Sequence, residues 1–177
     1  MALKNKSMYA ILGILSLSPC SGYDIKKYSD EVLSGFWNEN FGHIYPTLKK
    51  MLEDGMIEIV SKENKDKRVC YGITQKGKQE FETWLFEETV QQPVRSEFML
   101  KLLFSSSQPK ENVIKMLESY KELHQKNVEK YLGMQQKLEN SKEISKERVP
   151  FIKAVLRRGI ISSEATIKWC DETIEEL

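Results

Sequence analysis

Two histidines, three cysteines and a run of cations between residues 43 and 68 carry most of the chemistry that this 177-residue sequence offers. His43 and His124 fall in different predicted domains. Neither comes with a Ser or Cys nucleophile and an orienting acid at a recognisable spacing, so nucleophilic or acid–base catalysis has no framework. Cys20, Cys70 and Cys170 form no C-x-x-C pair, which leaves neither a zinc site nor a disulfide scaffold. No glycine-rich phosphate loop is present, and the carboxylates are scattered along helix faces where solvation and i,i+4 pairing account for them. Enzyme, metal and cofactor readings therefore lack residues to stand on, and recognition remains. His43, Tyr45, Thr47, Lys49 and Lys50, followed by Lys65, Lys67 and Arg68, supply hydrogen-bonding groups, an aromatic ring and cations. Such a set suits phosphates and base edges.

These side chains need a rigid element to present them. Asn40 is a good N-cap, and apolar residues recur at Ile44, Leu48, Met51 and Leu52, the spacing of one helical face. A helix over residues 41–54 follows, closed by Gly55 in the left-handed conformation, with Pro46 near its start. Turning that stripe inward leaves His43, Tyr45, Thr47, Lys49 and Lys50 facing out. Residues 56–61 and 68–74, rich in Ile, Val and Tyr, read as two strands joined by a charged tip with no apolar side chain. Helix then two-stranded ribbon is the core of a winged helix-turn-helix, whose helix reads the major groove of DNA while the ribbon lies along phosphates. Taken alone, the outward face is equally that of an ordinary solvated helix.

Length and charge bound the alternatives. A chain of 20.6 kDa suits one or two small domains. Its net charge of +1 carries no global nucleic-acid signal, but between Gly42 and Lys78 eight Lys and Arg stand against five Asp and Glu. Cations near phosphates, rather than whole-chain charge, set non-specific affinity. The lysines before Met8–Leu15 superficially resemble a secretion signal, yet the sequence runs straight into another amphipathic helix without a small-residue cleavage pattern. No apolar run reaches the ~18 residues of a membrane span. A reduced cytoplasm is the simple expectation from the cysteines.

Ahead of the reading helix, residues 7–17 are apolar nearly all round and residues 23–33 carry Ile25, Tyr28, Val32 and Leu33 on one face, predicting two further helices. Phe36 and Trp37 fall in a loop. Thr74 caps a helix reaching about Glu87, with Phe81, Trp84 and Leu85 or Phe86 inward. The polar, proline-interrupted stretch near residues 89–94 marks a linker. Residues 1–90 are thus expected to form a winged helix-turn-helix domain, and residues 91–177 an all-helical one.

In the second half, residues 96–104 form a short apolar helix, and residues 109–140 and 150–177 two long helices joined by a polar loop. The first long helix carries the stripe Val113, Leu117, Tyr120, His124, Asn127, Tyr131, Met134, Leu138, in alternating steps of four and three. The second repeats it through Ile152, Leu156, Gly159, Ser163, Ile167, Cys170 and Ile174, with Gly159 allowing a partner backbone to approach. A mainly α fold with antiparallel long helices is expected, as is a homodimer through the first and C-terminal helices that covers the apolar stripes; the alternative is a monomer whose antiparallel pair packs on its own DNA-binding domain. Trp37, Tyr120, His124, Asn127, Tyr131 and Trp169 are candidates to line a cavity for a small aromatic effector. The alternative is that the rings are core and that His124 and Asn127 fix helix register.

With Ile44-Tyr45-Pro46-Thr47-Leu48 ahead of Leu52 and Gly55, and with Ala10–Leu15, Ser21–Ile25 and Tyr71–Thr74 around them, the sequence resembles the PadR family of transcriptional regulators, in its longer class with a helical C-terminal domain. Ile44-Tyr45-Pro46-Thr47-Leu48, then Leu52, Gly55 and Met56-Ile57, is similar to the family's I-Y-P-x-L…L-x-x-x-G-x-I. Ala10–Leu15 with Ser21–Ile25 resembles its opening, and Tyr71–Thr74 with Gly77 its wing exit. Glu97-Phe98 and the region of Trp169 are similar to its C-terminal pattern. His43 stands where the family often has glutamine, and Asn64–Lys67 replaces a frequent Gly-Arg-Pro at the wing tip. The resemblance implies a dimeric repressor on an inverted-repeat operator in double-stranded DNA, released by a small aromatic or drug-like effector. Two other classes stay open: a winged-helix protein-interaction module, and a regulator triggered by oxidation of Cys20 or Cys70.

Overall fold

The computed structural model describes residues 6–33, 36–37, 39–62, 69–89, 95–140 and 144–177. The chain forms two compact units, residues 1–91 and 92–177.

The first unit runs α1 (Lys6–Leu15), β1 (Cys20–Ser21), α2 (Gly22–Tyr28), a π-helical turn (Ser29–Leu33), α3 (Phe41–Glu53), β2 (Ile57–Lys62), β3 (Val69–Ile73) and α4 (Gln75–Leu85). Its core gathers Tyr9, Ile11, Leu12, Ile14 and Leu15 of α1, Ile25 of α2, Ile44, Leu48 and Met51 of α3, and Ile57 of β2. The all-round apolarity of α1 is thereby explained, because helices contact it on more than one side. Ser21 caps α2 with a reciprocal capping box to Asp24.

Two details depart from the sequence-based expectation. Cys20 and Ser21 pair antiparallel with Tyr71 and Cys70, so the ribbon belongs to a three-stranded sheet ordered β1-β3-β2 with β3 in the middle. A two-residue strand has no periodicity to read. On α4, Phe81 and Trp84 pack on the core, with Trp84 stacked on Tyr9 at 4.6 Å, whereas Leu85 and Phe86 are exposed. The helix ends at Leu85, so Phe86 does not extend the inner stripe.

The second unit comprises α5 (Glu97–Leu103), a 3-10 turn (Ser105–Ser107), α6 (Lys110–Asn140) and α7 (Val149–Glu176). Gly133 does not interrupt α6, whose 31 residues span about 45 Å. The predicted stripes on α6 and α7 meet each other: Val113, Leu117 and Leu138 are buried on one side, Leu156, Ser163 and Cys170 on the other. Within the chain, Gly159 faces a side chain of α6 rather than a backbone. The ring of Tyr131 lies over it, within 2.7 Å of where a Cβ would stand. No described helix is long and apolar enough to cross a membrane.

Candidate nucleic-acid interface

The candidate interface is built on α3, which is fixed at both ends. At its start the Asn40 side chain accepts the His43 N–H at 3.1 Å. At its end Gly55 adopts φ +68°, the Met56 N–H donates to Met51 O at 2.9 Å and the Gly55 N–H to Leu52 O at 3.0 Å. That pairing is the glycine-closed helix terminus expected from the sequence. Two further donors secure the same end. The Thr74 hydroxyl donates to Gly55 O at 2.8 Å, and the Lys76 ammonium to Asp54 O at 2.6 Å.

Thr74 also caps α4, accepting the Gly77 N–H at 3.1 Å. Any Cβ on Gly77 would stand 2.1 Å from the carbonyl oxygen of Met56. Glycine at this point lets α4 close on the backbone that links α3 to the sheet.

The outward face is not quite the predicted one. His43, Tyr45, Lys49 and Lys50 are exposed, but Thr47 is only 7% exposed and belongs to the core face with Ile44, Leu48 and Met51. The helical period gives the reason, since residues 44, 47, 48 and 51 form one i, i+3, i+4, i+7 stripe. The polar type of Thr47 suggests an outward position, but its place in the stripe turns it inward. Thr47 is therefore removed from the outward set.

Tyr45 is half exposed and held in place. Its ring stacks with Phe41 at 6.0 Å and lies within 2.8 Å of where a Cβ on Gly22 would be. Burial, and then the neighbouring Tyr45, pushes the Tyr71 phenol up from its ordinary value. Tyr45 thus presents one face from a fixed position. Lys65, Lys67 and Arg68 lie outside the described residues. Sequence reasoning missed two neighbours: Phe41, which braces Tyr45, and Glu39, fully buried one residue before the α3 cap. The i, i+4 spacing of Phe41 and Tyr45 could have revealed the first.

Burial, then Asp24 and Cys70, pushes the Cys20 thiol up to about 11. It stays protonated at neutral pH, unlike a reactive thiolate.

Of the six effector candidates, Trp37 lies in the first unit and donates its indole N–H to Glu39 at 2.6 Å. The other five belong to the second unit. The Tyr120 ring stacks on Phe98 at 3.8 Å, Trp169 meets Phe98 edge-on, and His124 meets Tyr120 edge-on at 4.7 Å. Tyr131 lies on Gly159, and Asn127 is partly buried. Desolvation lowers the His124 pKa, and its Nδ1 is enclosed without a hydrogen-bond partner among the described residues.

Comparison with known proteins connects this geometry to a family. Residues 11–83 match the transcriptional regulator PadR-like family, and residues 94–177 match the family described as virulence activator alpha C-term. The negative transcriptional regulator PadR of Bacillus subtilis (strain 168) is 34% identical over 138 residues, which cover 76% of each chain. The chain belongs to the PadR-like family of transcriptional regulators. Its PadR-family fold extends to both units. Bacillus subtilis PadR crystallised in complex with operator DNA superposes with a TM-score of 0.81 at 27% identity, covering 97% of this chain and 99% of that one. The same regulator in complex with p-coumaric acid matches with a TM-score of 0.76 at 29% identity, covering 96% of each chain. Regulators of this family are not enzymes, in keeping with a PadR-family chain whose sequence carries no catalytic framework.

Proposed function

We propose that this chain binds a specific operator in double-stranded DNA as a homodimer, with α3 in the major groove, and acts as a repressor released by a small aromatic ligand. The observation that carries the reading is α3 itself: a helix clamped at both ends that turns His43, Tyr45, Lys49 and Lys50 to solvent. In this role Tyr45 and His43 reach base edges or sugar–phosphate, and Lys49 and Lys50, with Lys65, Lys67 and Arg68 of the wing, meet phosphates. Two-fold pairing would set the helices about one DNA turn apart, roughly 34 Å, on an inverted repeat. The relative crystallised on operator DNA supports this use of the fold.

Dimerisation is supported by apolar side chains that the second unit leaves uncovered: Leu100 and Leu103 on α5 with Phe104 at its end, and Phe151, Val155 and Ile161 on α7. The core residues of α1 are spent inside the first unit, so the C-terminal helices take the larger share. Repression is supported by the name of the negative regulator, and a phenolic or similar planar effector by the relative crystallised with p-coumaric acid. Tyr120, His124, Asn127, Tyr131 and Trp169 of the second unit remain the residues we assign to effector response; Trp37 belongs to the first unit, where Glu39 holds its indole N–H.

Selection of genomic fragments by the purified protein, followed by gel shifts across a salt series, tests the reading. A preferred inverted repeat bound at least about a thousandfold more tightly than unrelated DNA is expected. Retention that is weak and indifferent to sequence would instead mark an interaction module. Quenching of tryptophan fluorescence across a panel of phenolics tests the effector.

A further inference from the structure

We infer that Glu39 and Trp37 form a buried latch that sets the start of α3, making them positioning residues for DNA reading. The inference rests on the operator-binding reading above. Glu39 is only 1% exposed. Its Oε1 accepts the Trp37 indole N–H at 2.6 Å, and its backbone N–H donates to the hydroxyl of Ser29, itself fully buried, at 3.2 Å. The Phe36 and Trp37 backbone N–H groups both donate to Leu33 O, at 2.9 and 2.8 Å. The π-helical turn after α2 therefore holds Trp37 and Glu39 from one side. On the other, the residue after Glu39 is Asn40, whose side chain caps α3.

A carboxylate at such burial with a single side-chain donor is a poor contributor to stability, since its desolvation exceeds what one hydrogen bond returns. Oε2 is enclosed and has no hydrogen-bond partner among the described residues, a condition native proteins seldom leave unexplained. An apolar residue would fill the same space more cheaply. What an apolar residue cannot do is orient the Trp37 ring through its N–H and, with it, fix the angle at which the chain turns into Asn40. His43 and Tyr45, the residues assigned to base edges, stand in the first two turns after that cap. A small rotation there displaces them before it affects Lys49 or Lys50, so the latch governs discrimination between sequences more than affinity for phosphates.

The experiment compares Glu39→Ala, Glu39→Gln and Trp37→Phe with the wild-type chain. Each is titrated against the selected fragment and against unrelated DNA of equal length, and the tryptophan indole N–H signals are recorded by NMR. Gln keeps the acceptor for Trp37 and should retain wild-type discrimination together with a slowly exchanging Trp37 indole proton. Glu39→Ala and Trp37→Phe should lose about tenfold or more on the selected fragment, with affinity and salt slope on unrelated DNA unchanged. Equal losses on both DNAs, or no loss on either, would overturn the positioning role. A fast-exchanging Trp37 proton in the wild-type chain would overturn the latch while leaving operator binding intact. A protected proton in a wild-type chain that prefers no fragment would overturn operator binding, and the proposed role in discrimination with it.

Discussion

Helices α1 and α5 are both short and strongly apolar, yet one is spent inside the molecule and the other is not. In α1, Tyr9, Ile11, Leu12, Ile14 and Leu15 are all buried in the core of the first unit. In α5 no residue is fully buried, Met99, Leu100 and Leu103 are exposed, and only Phe98 and Leu102 pack on the core of the second unit. The difference teaches that apolar composition specifies burial against something without saying whether the covering surface belongs to the same chain. The first unit closes its core and turns cations outward on α3; the second closes a seam between α6 and α7 and leaves aliphatic side chains exposed on α5, the surface we propose for dimerisation.

The comparison breaks most visibly with one substitution made twice. Leu12 is 0% exposed and Leu103 74%. Leu12→Ala should cost about 2–5 kcal/mol of folding stability, a core cavity with little room to collapse. Leu103→Ala should change the stability of the dissociated chain by less than about 0.5 kcal/mol, and weaken self-association instead. Thermal melts over a range of protein concentrations, with sedimentation, separate the two effects. A melting point for Leu103→Ala as low as that of Leu12→Ala would show that α5 is buried within its own chain.

Gly77→Ala sharpens the closed side. The added methyl meets the Met56 carbonyl oxygen at 2.1 Å, so backbone must move, at a cost of about 1–3 kcal/mol. Because Gly77 lies at the junction of α3, sheet and α4, DNA affinity should fall with stability in gel shifts. Gly133→Ala, where nothing lies within 4 Å, is the control and should leave stability equal or higher.

How much of this was legible beforehand follows from what each feature depends on. Asn40, Gly55 and Thr74 act on their own backbone neighbourhood, so their caps could be read from residue type and spacing. The α6 and α7 stripes were legible because a long helix repeats its pattern. Thr47 was misread since its type pointed outward while its helical position pointed inward, and packing follows position. The two-residue strand β1 exists only because β3 lies beside it. Glu39 was invisible for a related reason: its partners are Trp37 and the distant Ser29, and nothing in a local window marks a charged loop residue as buried. The Tyr131–Gly159 contact likewise depends on the register of one helix against the other.

On the outward face of α3, Lys49→Ala tests the polar half of the comparison. Removing one phosphate contact should reduce the slope of log affinity against log salt by about one and lower affinity for all sequences alike. Folding stability should be unaffected, because Lys49 is exposed. An unchanged slope in a gel-shift salt series would take Lys49 off the DNA face.

The smallest effect expected comes from the inside of the second unit. Desolvation lowers the His124 pKa from 6.5, and its Nδ1 is enclosed beside Tyr120 without a partner among the described residues. The unfolded ring binds a proton near pH 6.5, while the folded ring still refuses it. Unfolding therefore takes up a proton in the window just below 6.5. The contribution of His124 is fully present above that value and is lost as pH falls toward the depressed folded value. His124→Gln carries no titrating ring, so the difference in melting temperature between wild type and variant should be largest and constant above pH 7, and shrink from pH 6.5 downward. The ring is partly exposed, which keeps the change small next to Leu12→Ala. Parallel curves from pH 5 to 8 would mean that His124 titrates as freely as in the unfolded chain, and that the second unit is open at its α6 seam as well as on its α5 face.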